Sequence, residues 1–271
     1  MQNINNNHML YNIQNDNDNI HIHIQNDMMQ DIQQEDRTVV VLDWDDTLLP
    51  SSYLKVNGLL PNTRYHHMTT IPHQTSIVLS SLSMSIIGLM EEALRHGPVF
   101  IVTAAERGWV ELSASLYLPN VIPYLNHMDV HVVSARTFFE KRYGVQGHAS
   151  LWKKKVFTMI AKECFINTHG DDDDNNNVSC NMPYWDDPRY GAFNLVSIGD
   201  SHAERDACHT AAGSTPFTVA KTLKFIDKPN MEEVIQQVTL AHRSLRQLIA
   251  VESSLDLQLT RDQLLSFRSV K

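Results

Sequence analysis

The stretch VVVLDWDDTLLPSSYL, residues 39 to 54, decides the fold of this protein. Val39 to Leu42 form an apolar run that predicts a buried β-strand, and this run leads directly into Asp43, Asp45 and Asp46. Carboxylates this close together repel one another unless a cation binds them or one of them is protonated. Because such an arrangement is costly, it indicates a site that is used.

The composition is that of a globular α/β protein. The chain has 271 residues, of which 42% are hydrophobic and 20% are charged, so one domain with appendages is expected. The formal net charge of -9 argues against nucleic acid or an anionic membrane surface as the main partner.

The chain shows no signature of secretion or of a membrane span. Its three cysteines have no CxxC spacing, which favours a reducing, intracellular compartment. No apolar run is expected to reach the length of a membrane span, and the N-terminus lacks the basic and then apolar order of a signal peptide. We therefore expect a soluble, cytoplasmic protein.

Two low-complexity tracts organise the chain: the first precedes the α/β domain, and the second lies within it. Residues 1 to 36 are so rich in Asn, Gln and Asp that a disordered arm is expected, and an acidic tract near residues 168 to 188 is expected to be a solvated insertion. The α/β domain should occupy residues 37 to 252 and contain this insertion. Residues 253 to 271 should form a C-terminal tail, for which a helix is an option.

Strand and helix signals alternate along the domain, which predicts a three-layer, Rossmann-like parallel sheet with helices on both faces. The helical stripe from Ser83 to His96 should end at Gly97, and Asn230 with Glu233 should form a capping box for a helix that ends near Val251. Further helices are expected at Trp109 to Leu118, Leu151 to Cys164 and Glu204 to Ala212. Strands are expected at Thr38 to Leu42, Pro98 to Val102, Val130 to Val133, Phe193 to Ile198 and from Phe217 to about Lys221.

Four of these strands end in polar residues that suit a phosphate site, namely Asp43, Thr103, Ser134 and Asp200. In parallel sheets of this kind, ligands bind at the carboxyl ends of the strands. A single polar residue after a strand is usually a turn or a cap. Four together predict a common site.

Four short motifs contain these residues and follow one another in order. VVVLDWDDT carries Asp43 and Asp45, and VFIVTAAE ends a strand at Thr103. LWKKKVF carries three adjacent lysines, and SIGDSHAERD carries Asp200 and Glu204. In this order the motifs resemble those of the haloacid dehalogenase-like (HAD) superfamily, in its aspartyl-nucleophile phosphatase type with a minimal cap.

The resemblance implies phosphate-ester hydrolysis. Asp43 would be the nucleophile that accepts the phosphoryl group, and Asp45 would protonate the leaving oxygen and later activate water. Trp44, between them, should point into the protein interior. Mg²⁺ would bind Asp43, Asp200 and Asp45, the last through its backbone carbonyl, together with water.

The remaining site residues leave alternatives open. Glu204 stands where relatives often have Asp, so it would either orient metal-bound water or bind the metal, and orientation is favoured. Thr103 and one lysine would bind the phosphate; Lys153 is chosen over Lys154 and Lys155 because it lies nearest the start of its helix. Ser134 would either line the phosphate site or cap a loop.

The resemblance implies a phosphorylated substrate, either a small molecule or a protein. The lengths of the segments around the predicted site indicate how large this substrate can be. Ser51 to Leu82 appears too irregular for a full cap domain, and no sheet is inserted after Thr103. A lightly capped cleft leaves room for a bulky substrate such as a phosphoprotein. Two alternatives to this phosphatase stay open: an inactive HAD-like binding module, and a nucleic-acid end phosphatase, against which the negative charge counts.

Overall fold

The computed structural model describes residues 37–61, 70–143, 148–165 and 192–268. The expected N-terminal arm, residues 1 to 36, and the expected insertion near residues 168 to 188 lie outside these ranges. The described residues form an α/β fold with one parallel sheet of six strands between two layers of helices, as the alternation of strand and helix signals predicts.

The first strand, β1, forms the middle of the sheet. Its sequence TVVVL is rich in β-branched residues, and every one of its residues is buried. The strand order is β3-β2-β1-β4-β5-β6, and all neighbouring pairs are parallel. The strands are β1 Thr38–Leu42, β2 Val99–Thr103, β3 Val130–Ser134, β4 Phe193–Gly199, β5 Thr218–Lys224 and β6 Leu255–Gln258.

Nine α-helices are found in the described part of the chain, together with one 3₁₀ turn at Pro119–Val121. They are α1 Ser51–Val56, α2 His73–Leu94, α3 Trp109–Tyr117, α4 Ile122–Leu125, α5 Ala135–Tyr143, α6 Ala149–Phe165, α7 His202–Gly213, α8 Met231–Ala250 and α9 Arg261–Arg268. The expected capping box at the start of α8 is present, because Asn230 accepts the Glu233 N–H and Glu233 accepts the Asn230 N–H.

Side-chain alternation along β1 separates two hydrophobic cores. Val40 and Leu42 pack on the face that carries α2 and α8, whereas Val39 and Val41 pack on the face that carries α6 and α7. Successive residues of a strand point to opposite faces, so a strand buried on both sides is apolar throughout. The uninterrupted apolar run in the sequence therefore reflects a central position in the sheet.

Helix α2 differs from the sequence-based expectation in two respects. It begins at His73 rather than Ser83, and it ends at Leu94, before Gly97. It is also long and apolar enough to cross a membrane by length and composition alone, with a mean hydropathy of 1.5, which corrects the expectation that no run would be. Leu82, Ile86 and Leu89 are fully buried in the core beneath the sheet, so α2 is a core helix of this domain.

The C-terminal region also corrects the sequence analysis. The tail expected from residue 253 is not separate, because β6 pairs with β5 from Lys221↔Leu255 to Lys224↔Gln258 and extends the sheet. Helix α9 follows, in agreement with the helical option. The sequence analysis missed β6 because LDLQ is short and mostly exposed, as an edge strand can be.

The strand order places a crevice beside β1. The chain proceeds from β1 to β2 and β3 on one side and then crosses back to β4 on the other side. Leu42 is level with Ile198 of β4 and Ile101 of β2, so the residues that follow these three strands meet at one edge. In such sheets, the point where the strand order reverses is the usual place for a ligand.

Candidate active site

Asp43 is the first residue after β1 and is only 4% exposed. Its backbone N–H donates to the Ile198 carbonyl at 2.9 Å, which continues the pairing with β4 beyond the strand. The chain then turns sharply, because the Trp44 carbonyl accepts the N–H groups of Leu48 and Leu49, both at 2.9 Å. This turn holds Asp43 at the carboxyl edge of the sheet. As expected, Trp44 points into the core and is fully buried.

Lys153 is the cation of the site. It is 4% exposed, and its Nζ donates to Asp43 Oδ1 at 2.6 Å and to Glu204 Oε1. The neighbouring Lys154 pairs instead with Asp206 at 3.6 Å, and Lys155 is exposed. Because adjacent residues on a helix are separated by about 100°, only one of the three lysines of α6 reaches the acids.

Glu204 is held in place by the start of α7. Its Oε2 accepts the N–H of Ser201 at 3.0 Å and the Ser201 hydroxyl at 2.5 Å, and Ser201 in turn caps the helix. A Cβ at Gly199 would lie 2.5 Å from the Glu204 Cγ, so the side chain needs glycine at this position. Both carboxylate oxygens of Glu204 are thus bonded within the chain, one to the cap and one to Lys153.

Asp200 brings a further carboxylate to the same place. Oxygen atoms of Asp43, Asp200 and Glu204 lie within 4.8 Å of one another. Within the described residues, no side chain or backbone N–H donates a hydrogen bond to the Asp200 carboxylate. Partial burial, together with the negative charges of Glu204 and Asp46, raises the pKa of Asp200 to about 7.

The pKa values of Asp43, Glu204 and Lys153 are also shifted. Burial, helped by the charges of Glu204 and Asp200, raises the pKa of Asp43 well above its usual range in spite of Lys153. Burial acts in the same direction on Glu204, but the Lys153 ammonium and the Ser201 hydrogen bond lower its pKa overall. Burial would lower the pKa of Lys153, but the charges of Asp43 and Glu204 raise it. The combined negative charge of Asp43, Asp200 and Glu204 therefore exceeds the positive charge of the Lys153 ammonium.

A divalent cation fits this arrangement. The donors are carboxylate oxygens, which hard cations such as Mg²⁺ prefer, and Asp200 has an oxygen pair without a hydrogen-bond donor from the described chain. A bound cation would also compensate the excess negative charge that raises the pKa values of Asp43 and Asp200. The residues present are therefore able to hold a metal, although the geometry alone does not select one metal.

Asp45 lies beside this group but outside it. Its Oδ2 accepts a hydrogen bond from the Thr103 hydroxyl at 3.2 Å, and its Oδ1 accepts one from the Trp109 indole N–H at 2.9 Å. The Thr103 oxygen also accepts the Ala105 N–H at 3.0 Å. The Asp45 side chain is therefore engaged with β2 and α3. Metal binding through the Asp45 backbone carbonyl stays a prediction.

Ser134 makes the contacts of a loop-capping residue. Its hydroxyl donates to the Ala105 carbonyl at 2.6 Å and accepts the Thr137 N–H at 3.1 Å. It thereby joins the loop after β2 to the start of α5. The structure thus supports the alternative that the sequence left open for Ser134, and a contact with phosphate stays a prediction, as it does for Thr103 and Lys153.

The sequence predicts that Asp46 ties the turn after β1 and gives it no catalytic role. Its backbone has φ of 56°, in the left-handed region that non-glycine residues rarely adopt. Its carboxylate accepts the Ser52 N–H at 2.7 Å and hydrogen bonds from the hydroxyls of Ser51 and Ser52. Asp46 thus anchors α1 to the turn after β1, while its charge raises the pKa of Asp200.

The sequence analysis missed two further contributors. Ser201 was readable, because the spacing Ser201-x-x-Glu204 is that of a capping box. Trp109 was recognised only as the first residue of a helix. No local signal connects it to Asp45, which is 64 residues away in the sequence.

Comparison with known proteins adds no relative. No family model matches the chain, and neither a curated protein nor a solved structure matches it. The candidate site is therefore characterised by the geometry of its own residues and by the order of its motifs.

Proposed function

We propose that the protein is a Mg²⁺-dependent phosphomonoester hydrolase that works through an aspartyl-phosphate intermediate. One observation carries this proposal: Asp43, Asp200 and Glu204 converge where the strand order reverses, with the Lys153 ammonium bonded to two of them. A buried nucleophilic carboxylate, a metal-binding acid and a fixed cation form a set that phosphoryl transfer requires. The order of the four motifs, which resembles that of HAD phosphatases, supports the same reaction.

In the first step, a carboxylate oxygen of Asp43 attacks the phosphorus atom of the ester. The bond between phosphorus and the ester oxygen breaks, and Asp45 gives its proton to the departing oxygen, which leaves as an alcohol. Lys153 stabilises the negative charge on the transferred group from a fixed position. The Thr103 hydroxyl donates to Asp45 Oδ2 when Asp45 is ionised, and it can donate to a phosphate oxygen instead when Oδ2 carries the proton.

In the second step, water attacks the phosphorus of the aspartyl phosphate and gives its proton to Asp45. The bond between Asp43 and phosphorus breaks, inorganic phosphate leaves, and both acids return to their starting states. Mg²⁺, held by Asp43 and Asp200, would neutralise charge on the phosphate and keep Asp43 ionised. Glu204 would position Lys153 and contribute to the metal site.

The segment lengths support a bulky substrate. Residues 73 to 82, which the sequence left unexplained, belong to the core helix α2, and Ser51 to Val56 form only the short helix α1. In the part of the chain that the structure describes, little remains to cover the cleft. A phosphorylated protein side chain could itself exclude water from such a site, in a soluble, cytoplasmic setting.

The test is hydrolysis of p-nitrophenyl phosphate by the purified full chain, with Mg²⁺ or with EDTA, beside Asp43→Asn. We expect Mg²⁺-dependent turnover in the wild type and a loss of at least about 1,000-fold in the variant, because the nucleophile is gone. Asp206→Asn is the matched control, since Asp206 is an exposed carboxylate whose ion pair within the described residues is with Lys154. It should keep near wild-type turnover.

A well-folded wild type that binds Mg²⁺ without turnover on aryl phosphates or phosphopeptides would contradict the proposal. The same site would then serve a binding module, which is the first alternative. Turnover that is selective for 5′- or 3′-phosphorylated oligonucleotides, at low salt and despite the charge of -9, would favour the nucleic-acid end phosphatase instead.

A further inference from the structure

The first turn of α3 contacts two consecutive residues of the loop that follows β1. Trp109 donates its indole N–H to Asp45 Oδ1 at 2.9 Å, and Ser113 accepts the indole N–H of Trp44 at 2.9 Å. Residues four apart on a helix lie on the same face, so Trp109 and Ser113 present their side chains to this loop together. The loop that carries Asp45 is therefore held from α3 at two adjacent points.

Trp109 itself is firmly placed. It follows Gly108, whose φ is 90°, and its own N–H donates to the Glu106 carbonyl at 3.2 Å. The Ser113 hydroxyl donates to the Trp109 carbonyl at 2.7 Å. The ring is partly buried and packs against the core beneath the sheet. A side chain held in this way fixes the position of the group that it bonds.

The two partners of Asp45 differ in their chemistry. An indole N–H only donates, so Oδ1 faces a group that can never accept a proton or a hydrogen bond. A hydroxyl both donates and accepts, so the Thr103 hydroxyl can bond Oδ2 whether or not Oδ2 carries a proton. Protonation at Oδ1 would make this oxygen a weaker acceptor for the indole N–H, whereas protonation at Oδ2 is compatible with both partners.

We propose that Trp109 is a positioning residue for the general acid, and that its indole N–H directs the transferable proton of Asp45 to Oδ2. This inference rests on the proposed function. In the first step, the Oδ2 proton passes to the leaving oxygen as the phosphorus–oxygen bond breaks, and in the second step Oδ2 takes a proton from the attacking water. Oδ1 stays bonded to Trp109 throughout.

The test compares leaving groups in Trp109→Phe, which keeps an aromatic ring but removes the donor. Benzyl phosphate needs a proton on its leaving oxygen, whereas p-nitrophenyl phosphate leaves readily without one. We expect kcat to fall about 30-fold on benzyl phosphate but less than about threefold on p-nitrophenyl phosphate, with KM nearly unchanged. Trp44→Phe is the matched control, because it also removes an indole N–H bond between this loop and α3 but keeps the bond from Trp109 to Asp45.

A second measurement detects the bond without turnover. The chain has four tryptophans, so an indole ¹H–¹⁵N spectrum is simple, and Trp109→Phe identifies the Trp109 peak. Asp45→Asn should move this peak and leave the Trp44 peak in place. An unmoved Trp109 peak, or an equal loss of kcat on both esters, overturns the inference even if the protein is a phosphatase. A wild type without turnover refutes the proposed function itself, and the peak shift would then report only a structural bond.

Discussion

Lys153 and Lys221 are both almost fully buried, yet their surroundings are opposite. Lys153 bonds two carboxylates, Asp43 and Glu204, and their charges raise its pKa. Lys221 bonds the carbonyls of Ile249, at 2.5 Å, and Val251, at the C-terminal end of α8, and burial lowers its pKa to about 8. The first lysine balances charge, whereas the second completes a helix end.

This difference separates a buried lysine that completes a helix end, Lys221, from one that neutralises buried carboxylates, Lys153. A buried lysine that only caps a helix needs carbonyl oxygens, which are already part of the backbone. A buried lysine surrounded by acids requires those acids to be buried as well, and burying several like charges together is unfavourable. The excess of acid around Lys153 is therefore the feature on which the proposed metal site rests.

The strongest test of the comparison removes the Lys153 charge. Lys153→Met leaves Asp43 and Glu204 buried without their cation, so we expect the free energy of unfolding to fall by about 4 kcal/mol at pH 8. The loss should shrink at pH 5, because the acids can then become protonated. Urea unfolding of the variant measures both values. Lys154→Met is the control, because the Lys154 side chain is partly exposed and its ion pair is 3.6 Å long, so stability should change by less than about 0.5 kcal/mol. Equal losses of stability in the two variants would contradict the special role of Lys153.

Removing the Asp200 charge should raise the free energy of unfolding, whereas removing the Lys153 charge should lower it. Between about pH 4 and pH 7, folded Asp200 holds a proton that the unfolded chain has released, so wild-type stability without metal falls as the pH rises. Asp200→Asn abolishes this loss, and its stability relative to wild type should grow by about 3 kcal/mol from pH 5 to pH 8. Urea unfolding in EDTA measures the change.

Mg²⁺ should make the wild type more stable than Asp200→Asn at pH 8, which reverses the order of stability expected in EDTA. Mg²⁺ should stabilise the wild type at pH 8 and leave Asp200→Asn unchanged, because only the wild type keeps the unpartnered carboxylate. Asp206→Asn again serves as the control, with wild-type behaviour expected. If the stability of Asp200→Asn depended on pH as strongly as that of the wild type, Asp200 would not be the group that causes the pH dependence.

The smallest expected effect concerns Lys221. Its folded pKa of about 8 lies below the unfolded value, so below pH 8 both states are protonated and the cost of burying the charge is fully present. As the pH rises from 8 to 10, the folded protein releases its proton first and wild-type stability increases. Relative to wild type, Lys221→Met should therefore lose about 2 kcal/mol between pH 7 and pH 10, a change measured by urea unfolding. A constant difference across this range would show that the carbonyl bonds, and not burial, dominate.

Much of the fold was readable from local sequence. The five strands from β1 to β5 and most of the long helices follow from apolar periodicity and capping residues, because these signals lie within a few residues of one another. The start of α2 and the strand β6 were not readable in this way. HQTSIVLSSLSMS lacks a strong capping signal, and LDLQ becomes a strand only because β5 offers an unpaired edge.

The candidate site divides along the same line. The order of the motifs singled out Asp43, Thr103, Asp200, Glu204 and a run of three lysines, and the structure brings the four side chains and that of Lys153 to the same edge of the sheet. The contacts between them were not readable: the Lys153 bond to Asp43 spans 110 residues, and the Trp109 bond to Asp45 spans 64. Ser134, which was included because it ends a strand, bonds the loop after β2 instead.

The sequence by itself determined that this chain forms a parallel α/β sheet and that its acids lie at the ends of strands, because periodicity and strand boundaries are local properties. Only the tertiary structure decided which lysine meets Asp43, that Asp200 is left without a donor in the described chain, and that Asp45 is held by Trp109. The physical reason is that burial, charge balance and hydrogen-bond direction depend on groups far apart in the chain. Their values exist only once the sheet and its two helical layers have assembled.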